Sequence, residues 1–453
     1  MTGSSIVFDY QKEPHREILC IDCRSFYASV ECAQHGWDPL TTPLVVMSYP
    51  SDNPAEEGSG LILASSPTAK KLYGISNVSR ARDLPFPYPK ELKIVPPRMR
   101  LYMEMNQKIN RIYKKYCDEK NHLVYSVDES FLDVTDCFSL FNVTTAYEMA
   151  QMIQQDVFSQ TGINTAVGIG DNPLLAKLAL DNEAKKNTDH IATWRYENVP
   201  EKLWQIKEIT DFWGIGKRTA RRLQLLGIAN IKELAEADYF RLKEHFGVVG
   251  EQLYAHAWGI DRSFLGESVT PKSKSLGNSQ VLPRDYEKEA EIEIVIKEMA
   301  DQVATRLRKK QRQAQVISLW IGYSIGEIDR LGRGSFSQQQ KVTATNSSKK
   351  IAEIVLEIFR KNYQGQKVRQ VGIHCGNLVE GSALQLDLFS DPDVEYKKIK
   401  TEHVVDVIRR KYGFKSIVHA SSLMEGGRAI ARSSLVGGHA GGMGGLEEPE
   451  EKN

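Results

Sequence analysis

With 453 residues, 41% of them hydrophobic and 26% charged, the chain has the composition of an ordinary soluble protein of about three domains, which excludes a collagenous, silk-like or wholly disordered one. Its longest apolar runs are under ten residues, short of the ~20 needed to span a bilayer, and the polar stretch from Met1 to Glu17 lacks a secretory signal, so neither membrane nor export is expected. The net charge of +1 hides a division: residues 1–199 hold five more acids than bases, and residues 270–375 hold eight more bases than acids. That division suits chemistry on one part and a grip on a polyanion on another, or simply a solvated basic face.

Residues 17–23 predict a short apolar strand ending on Asp22. Cys20 and Cys23 read C-x-x-C, but three apart on a strand they face opposite ways, and no second Cys/His pair follows to complete a zinc site. Six cysteines in so long a chain fit a reducing compartment. Ser25 to Gly36 predicts a helix with Phe26, Val30 and Ala33 on one side. Residues 39–97 form a loop-rich subdomain with strands at Leu44 to Met47 and Leu61 to Ala64 and an exposed loop from Asp52 to Gly60. Met99 to Cys117 predicts an amphipathic helix burying Met103, Ile109, Ile112 and Tyr116.

A hairpin follows, Val124 to Val127 running into Asp128-Glu129 and returning through Phe131 to Val134. Ala146 to Gln160 is helical, Asn164 to Ile169 a strand, and Pro173 to Lys186 a second helix, the order of a split β-α-β layer. Residues 200–262 are helical throughout, and 263–275 read as a linker. Residues 276–376 form a second α+β module: strands at Ser279 to Leu282, Val316 to Tyr323, Ser335 to Thr345 and Arg369 to His374, and helices at Ala290 to Lys310 and Ser347 to Tyr363. A short helix at Val394 to Tyr412 precedes a Gly-rich, acidic end, Gly437 to Asn453, expected to be disordered.

Asp22 at a strand end, and Asp128 with Glu129 at a neighbouring turn, can converge. Mg²⁺ suits such a place because it takes hard oxygen ligands, typically one or two carboxylates with phosphate oxygens. Two such ions serve phosphoryl transfer. Ordinary turn aspartates are the plainer alternative, but an unpaired carboxylate ending a buried strand is costly.

The segment Asp22-Cys-Arg-Ser-Phe-Tyr-Ala-Ser-Val-Glu31 resembles the first motif of the Y-family, translesion DNA polymerases. Ser126-Val-Asp-Glu-Ser-Phe-Leu-Asp133 resembles their second motif and Val167-Gly-Ile-Gly-Asp-Asn-Pro-Leu-Leu-Ala-Lys177 their third. The resemblance covers about residues 15 to 425 and is closest to the UmuC/MucB-like bacterial branch. It implies an α+β right-hand polymerase: palm at 1–25 and 99–199, fingers at 26–98, helical thumb at 200–262, little finger at 276–376, and a C-terminal tail from 377.

It further implies that Asp22, Asp128 and Glu129 are catalytic and, with the backbone carbonyl of Cys23, hold two Mg²⁺ ions. Tyr27 matches the ring that excludes a 2′-hydroxyl, while Phe26 beside it reads equally as core. In the fingers this sequence departs from the family, with Ala64-Ser-Ser-Pro-Thr-Ala-Lys-Lys-Leu-Tyr-Gly74: the usual Tyr is missing, Lys70 or Lys71 stands for an Arg without its bidentate fork, and Ser65 and Ser66 offer hydroxyls. Lys185, or Lys186, matches the palm lysine that meets the triphosphate.

For DNA, Trp213-Gly-Ile-Gly-Lys-Arg-Thr-Ala-Arg-Arg-Leu resembles a helix-hairpin-helix element. Gly214 and Gly216 would turn the chain so that backbone N–H groups hold a phosphate, with Lys217, Arg218, Arg221 and Arg222 beside them. In the basic module, the cluster Arg306 to Arg312, with Arg308, Lys309 and Lys310, would meet phosphates without reading sequence. Leu384-Gln385-Leu386-Asp387-Leu388-Phe389 looks like the peptide by which bacterial polymerases dock on the sliding clamp; the alternative is a strand packed on its own domain. The expected partners are therefore primer-template DNA, deoxynucleoside triphosphates and the clamp, with a recombinase filament or accessory protein also implied, in the bacterial cytoplasm at the nucleoid. A palm-fold nucleotide cyclase and a non-enzymatic DNA scaffold are the competing classes.

Overall fold

Ile18–Cys23 (β1) is apolar on both faces and almost wholly buried, which only a strand flanked on both sides can be. In the computed structural model, which describes residues 8–48, 61–75, 79, 83–267, 274–381 and 391–433, it is the middle strand of a five-stranded sheet. The chain divides into two units, residues 1–97 with 101–268, and residues 269–453 with 98–100.

In the first unit β1 leads into α1 (Phe26–His35). Leu44–Ser48 (β2), Leu61–Ser65 (β3), the helix Pro67–Tyr73 (α2) and Lys93–Val95 (β4) then make the small fingers layer, a sheet in the order β3-β2-β4 with its own core of Val45, Met47, Ile62, Ala69, Ile75, Leu84 and Leu92. The expected loop from Asp52 to Gly60 lies outside the described residues. α3 (Met99–Tyr113) buries Ile109 and Ile112, as does Tyr116 beyond its end, but Met103 is exposed, because the helix turns Tyr102 and Met105 inward instead. His122–Val124 (β5) and Glu129–Asp133 (β6) form the expected hairpin, followed by Ala146–Thr161 (α4), Thr165–Gly170 (β7), Pro173–Asn182 (α5) and Ile191–Trp194 (β8). The sheet order β5-β6-β1-β7-β8 is the split β-α-β layer.

Two glycines set the distance between α5 and the sheet. A Cβ at Gly168 would stand 2.0 Å from the Ala176 carbonyl oxygen, and one at Gly170 2.3 Å from the Ala176 nitrogen, so only glycine lets the helix lie this close. α5 starts on Asn172, whose side chain accepts from Leu175 N at 2.9 Å, with Pro173 in its first turn. It stops at Asn182, earlier than expected. The backbone leaves helical geometry at Glu183, whose carboxylate is held by Trp194 Nε1 at 2.6 Å and Lys202 Nζ at 2.8 Å, and Lys185 therefore sits on a following 3₁₀ turn.

Residues 200–262 are less helical than expected. Short turns lead to Lys217–Gln224 (α6), Ile231–Ala235 (α7), Tyr239–Phe246 (α8) and Val248–Ala257 (α9), whose core is continuous with that under the sheet through Trp194, Tyr196, Leu203, Phe212 and Tyr254.

The second unit is a four-stranded antiparallel sheet, order β11-β10-β12-β9, built from Leu276–Tyr286 (β9), Arg312–Tyr323 (β10), Ser335–Thr345 (β11) and Val368–Glu380 (β12). Glu289–Lys309 (α10) and Ser348–Asn362 (α11) cover one face. Pro392–Tyr412 (α12), 21 residues long and not the short helix expected, is fastened to α10 by ion pairs from Arg409 to Asp301 at 2.7 Å and from Arg308 to Asp406 at 2.6 Å. The segment after it returns as well: Glu298 Oε2 accepts from the backbone N–H of Arg428 and Ala429 at 2.8 and 2.9 Å. Gly437 to Asn453 lies outside the described residues.

Candidate active site

Asp22 lies opposite Glu129 in the β1–β6 register, and Cys23 N donates to the Asp128 carbonyl at 2.8 Å. The turn between the hairpin strands is pinned twice more: Ser126 Oγ donates to Asp128 Oδ1 at 2.7 Å, and Asn106 Nδ2 to the Val127 carbonyl at 2.6 Å. Sheet pairing thus brings the three sequence-predicted carboxylates to one edge. Asp22 is largely buried, its side chain 18% exposed. Its carboxyl is pushed up to about 6, chiefly by that burial; Lys185 opposes the rise, and the charges of Asp128 and Glu129 add to it.

Glu129 is engaged on its other side. It accepts from Cys20 Sγ at 3.0 Å and pairs with Lys177 Nζ at 2.6 Å. Lys177 also meets Asp181 at 2.9 Å, Asp181 meets Lys185 at 2.8 Å, and Lys185 reaches Asp22 Oδ2 at 3.3 Å. Against burial, which would raise it, the two lysines hold Asp181 below the usual carboxylate range. Lys177 and Asp181 were not singled out from sequence. The signal was an acid and two bases at every fourth position, 177, 181 and 185, the first two within an otherwise apolar helix.

Among the described residues, no three His, Cys, Asp or Glu side chains form a ready-made metal cage. The donor set suits Mg²⁺ rather than a softer ion: Asp22, Asp128 and the Cys23 carbonyl are hard oxygens, few enough to leave positions for phosphate. The Cys23 thiol is no ligand, being buried and held protonated, first by that burial and then by Asp22 and Asp128.

Phe26 is buried in the core and Tyr27 half-exposed. The Tyr27 ring stacks on Tyr102 at 4.5 Å between centroids, and Tyr102, fully buried, donates its hydroxyl to Glu31 at 2.6 Å. Tyr102 carried no sequence signal, since an aromatic residue on an amphipathic helix reads as core. Of the two fingers lysines, Lys70 turns to the site, Nζ 3.3 Å from Ser25 Oγ, whereas Lys71 is exposed. Likewise Lys185 faces Asp22 and Lys186 is exposed.

The two fingers serines need correcting as nucleotide contacts. Ser66 Oγ donates to the Thr42 carbonyl at 2.7 Å and accepts from Leu44 N and Ala69 N at 3.0 and 3.1 Å, so it is spent on capping α2. Ser65 is wholly buried. A further cation, Arg24, stands two residues after Asp22 with Nη1 2.6 Å from His190 Nε2; burial first, then the guanidinium, holds His190 below its usual range, so the imidazole accepts.

In the thumb, Gly214 has φ +93°, and Gly216 precedes α6 without a side-chain cap, leaving the helix's first N–H groups for a partner. Lys217, Arg218 and Arg221 are exposed. Arg222 is partly spent, donating to the His245 carbonyl and lying over the Phe246 ring at 4.2 Å. Trp213 anchors the element to the β5–β6 hairpin, its Nε1 3.2 Å from Tyr125 OH.

In the second unit Arg308 needs correcting. Its guanidinium is engaged by Asp406, Glu402, Thr305, Ser348 and the Asn346 carbonyl, so it fastens α12 and is not free for DNA. Lys309 and Lys310 are exposed. Among the described residues, the face of the sheet away from α10 and α11 carries the cross-strand rows Ser335–Gly322–Gln370–Val281, Ser337–Trp320–Gly372–Ser279, Gln339–Ser318–His374–Gly277 and Lys341–Val316–Gly376. None of these residues is a carboxylate, an absence invisible until the register is known. The expected clamp peptide, Gln385 to Phe389, lies outside the described residues.

A family model described as the impB/mucB/samB family matches residues 21–181, its C-terminal domain matches 273–388, and the HHH motif of the same family matches 196–228. The UV-damage repair protein UvrX of Bacillus subtilis (strain 168) is 40% identical over 433 residues, covering 96% of this chain and 100% of that protein. The chain belongs to the impB/mucB/samB family. This is the grouping that the three motifs implied. DNA polymerase IV 2 of the same organism is 34% identical over 93% of the chain and 98% of its own length. A solved Y-family DNA polymerase chimera shares the fold at a TM-score of 0.62 and 21% identity, over 80% of this chain and 99% of that one. Among the described residues, no helix is long and apolar enough to cross a membrane.

Proposed function

We propose that this impB/mucB/samB-family protein is a template-directed DNA polymerase of the translesion type, adding deoxynucleotides to a primer. The observation that carries the reading is the sheet end at which Asp22 stands opposite Glu129 and Cys23 N bonds the Asp128 carbonyl, with Lys185 3.3 Å from Asp22 and Lys70 3.3 Å from Ser25; in this reading Asp22, Asp128 and the Cys23 carbonyl supply the metal's oxygens. These oxygens would hold Mg²⁺, two ions in this reading, whose chemistry is to make a primer hydroxyl nucleophilic and neutralise a departing pyrophosphate.

The chain's own residues do the positioning. Lys70 and Lys185 supply charge to a triphosphate, and Arg24 adds a guanidinium where the fingers lack one. Lys177 fixes the Glu129 carboxylate by pairing with it at 2.6 Å. Tyr27, backed by Tyr102, occupies the space that a 2′-hydroxyl would need. The exposed bases of α6 and the acid-free cross-strand rows of the second unit suit a nucleic-acid backbone, which is gripped by charge and polar contacts without reading sequence. We assign Gln385, Leu386, Leu388 and Phe389 to a sliding clamp; a recombinase filament or accessory protein is a further partner of this class of enzyme, and the setting is the bacterial cytoplasm at the nucleoid.

Primer extension tests the reading. Asp128→Asn keeps the shape and removes a charge, so extension on intact and damaged templates should fall by orders of magnitude while DNA affinity stays near normal. Extension at the unmodified rate would sink the assignment.

A further inference from the structure

The ion pairs of the site form a chain of alternating sign, Glu129, Lys177, Asp181, Lys185, Asp22, whose two acidic ends lie opposite each other in the sheet. Its two lysines differ. Lys177 is buried on α5, which the glycines of β7 hold tightly. Lys185 stands on the turn beyond that helix, 37% exposed, and its shorter contact is with Asp181 at 2.8 Å, against 3.3 Å to Asp22. A lysine ammonium is a point charge on a flexible stem, able to swing between anions.

A divalent cation on Asp22 must compete with that ammonium for the same carboxylate. Yielding costs Lys185 little, because Asp181 stays as its partner. The released ammonium is then available to a second anion at the same edge. We propose that Lys185 is a counter-cation arm with two stations, Asp22 and the nucleotide phosphates, and that Asp181 is the positioning residue that tethers it between them. Cation binding at Asp22 and phosphate capture by Lys185 thereby favour each other. This rests on Asp22 being a metal ligand, as proposed above.

Mn²⁺ serves as the probe, its free ion counted by electron paramagnetic resonance on the full chain without nucleotide, at pH 8 so that Asp22 is ionised. Lys185→Ala should bind Mn²⁺ about fivefold tighter, the order expected for losing one partly exposed competing ion pair. Asp181→Asn should bind it more weakly, because Lys185 is left to Asp22 alone. In the double variant that loss should vanish, whereas a general charge effect of Asp181 would persist. On a terminated primer-template, Lys185→Ala should also bind deoxynucleotide more weakly. Unchanged or weaker Mn²⁺ binding by Lys185→Ala, or an undiminished Asp181→Asn loss in the double variant, overturns the proposal; unchanged nucleotide affinity overturns the second station. If Asp22→Asn leaves Mn²⁺ binding intact in every background, the metal-site reading fails instead.

Discussion

Asp22→Asn should make this protein more stable while abolishing its chemistry. The carboxyl rises from 3.8 to about 6 on folding, chiefly through burial, so the folded chain holds that proton more tightly than the unfolded chain does. The penalty for carrying the charge is absent below about pH 3.8, grows as pH rises, and is complete above about pH 6. A shift of that size corresponds to about 3 kcal/mol at neutral pH. Asparagine keeps the shape without the charge, and Lys185 retains Asp181 at 2.8 Å. Urea unfolding at pH 7.5 should therefore give a gain of this order for the variant, shrinking toward zero at pH 4. Mg²⁺ should stabilise the parent protein but not the variant, since an ion that binds only the folded state adds stability in proportion to the logarithm of its concentration. A variant less stable than the parent at pH 7.5, or one stabilised equally by Mg²⁺, would refute the reasoning.

Tyr27→Ala should raise ribonucleotide incorporation relative to deoxynucleotide, read from single-nucleotide insertion; an unchanged ratio would remove Tyr27 from the gate. Arg308→Ala should cost the second unit about 3 kcal/mol by stranding Asp406 and Glu402, seen as a lower unfolding midpoint, whereas Lys309→Ala with Lys310→Ala should leave the midpoint alone and weaken DNA binding at low salt. Replacing Leu388 and Phe389 by Ala should abolish clamp stimulation but spare single-nucleotide insertion on saturating primer; a parallel loss of both would place those side chains in the fold's own core.

The strands and most helices were legible because burial leaves a period in the sequence. β1 and β7 read as apolar runs, and Thr145 with Glu148, which form a capping box, sit at the start of the helix expected there. Asp22, Asp128 and Glu129 were legible as motifs. Their mutual placement was not, because register is a long-range property: only pairing reveals that Asp22 faces Glu129 or that neighbouring rows of a sheet lack acids. Direction was equally hidden. Lys70 and Lys71 are indistinguishable as letters, yet the turn of α2 sends one to Ser25 and the other to solvent. Ser66 and Arg308 misled for the same reason, since a hydroxyl or guanidinium that the fold has already satisfied looks identical in sequence to a free one.

The fastening of α12 alters what residues 382–390 can be. Upstream, Gly381 N is bonded to the Gln311 carbonyl at 3.1 Å; downstream, Asp391 caps α12, accepting from Asp393 N at 2.9 Å, and α12 is bolted to α10. The proposed clamp peptide is therefore followed, as well as preceded, by backbone that the second unit holds in place. It also cannot be cut away cleanly: a stop codon in place of Gln385 would remove α12 along with the peptide and leave Arg308 and Asp301 without their ion-pair partners. Point substitutions can isolate docking in this chain, and truncation cannot.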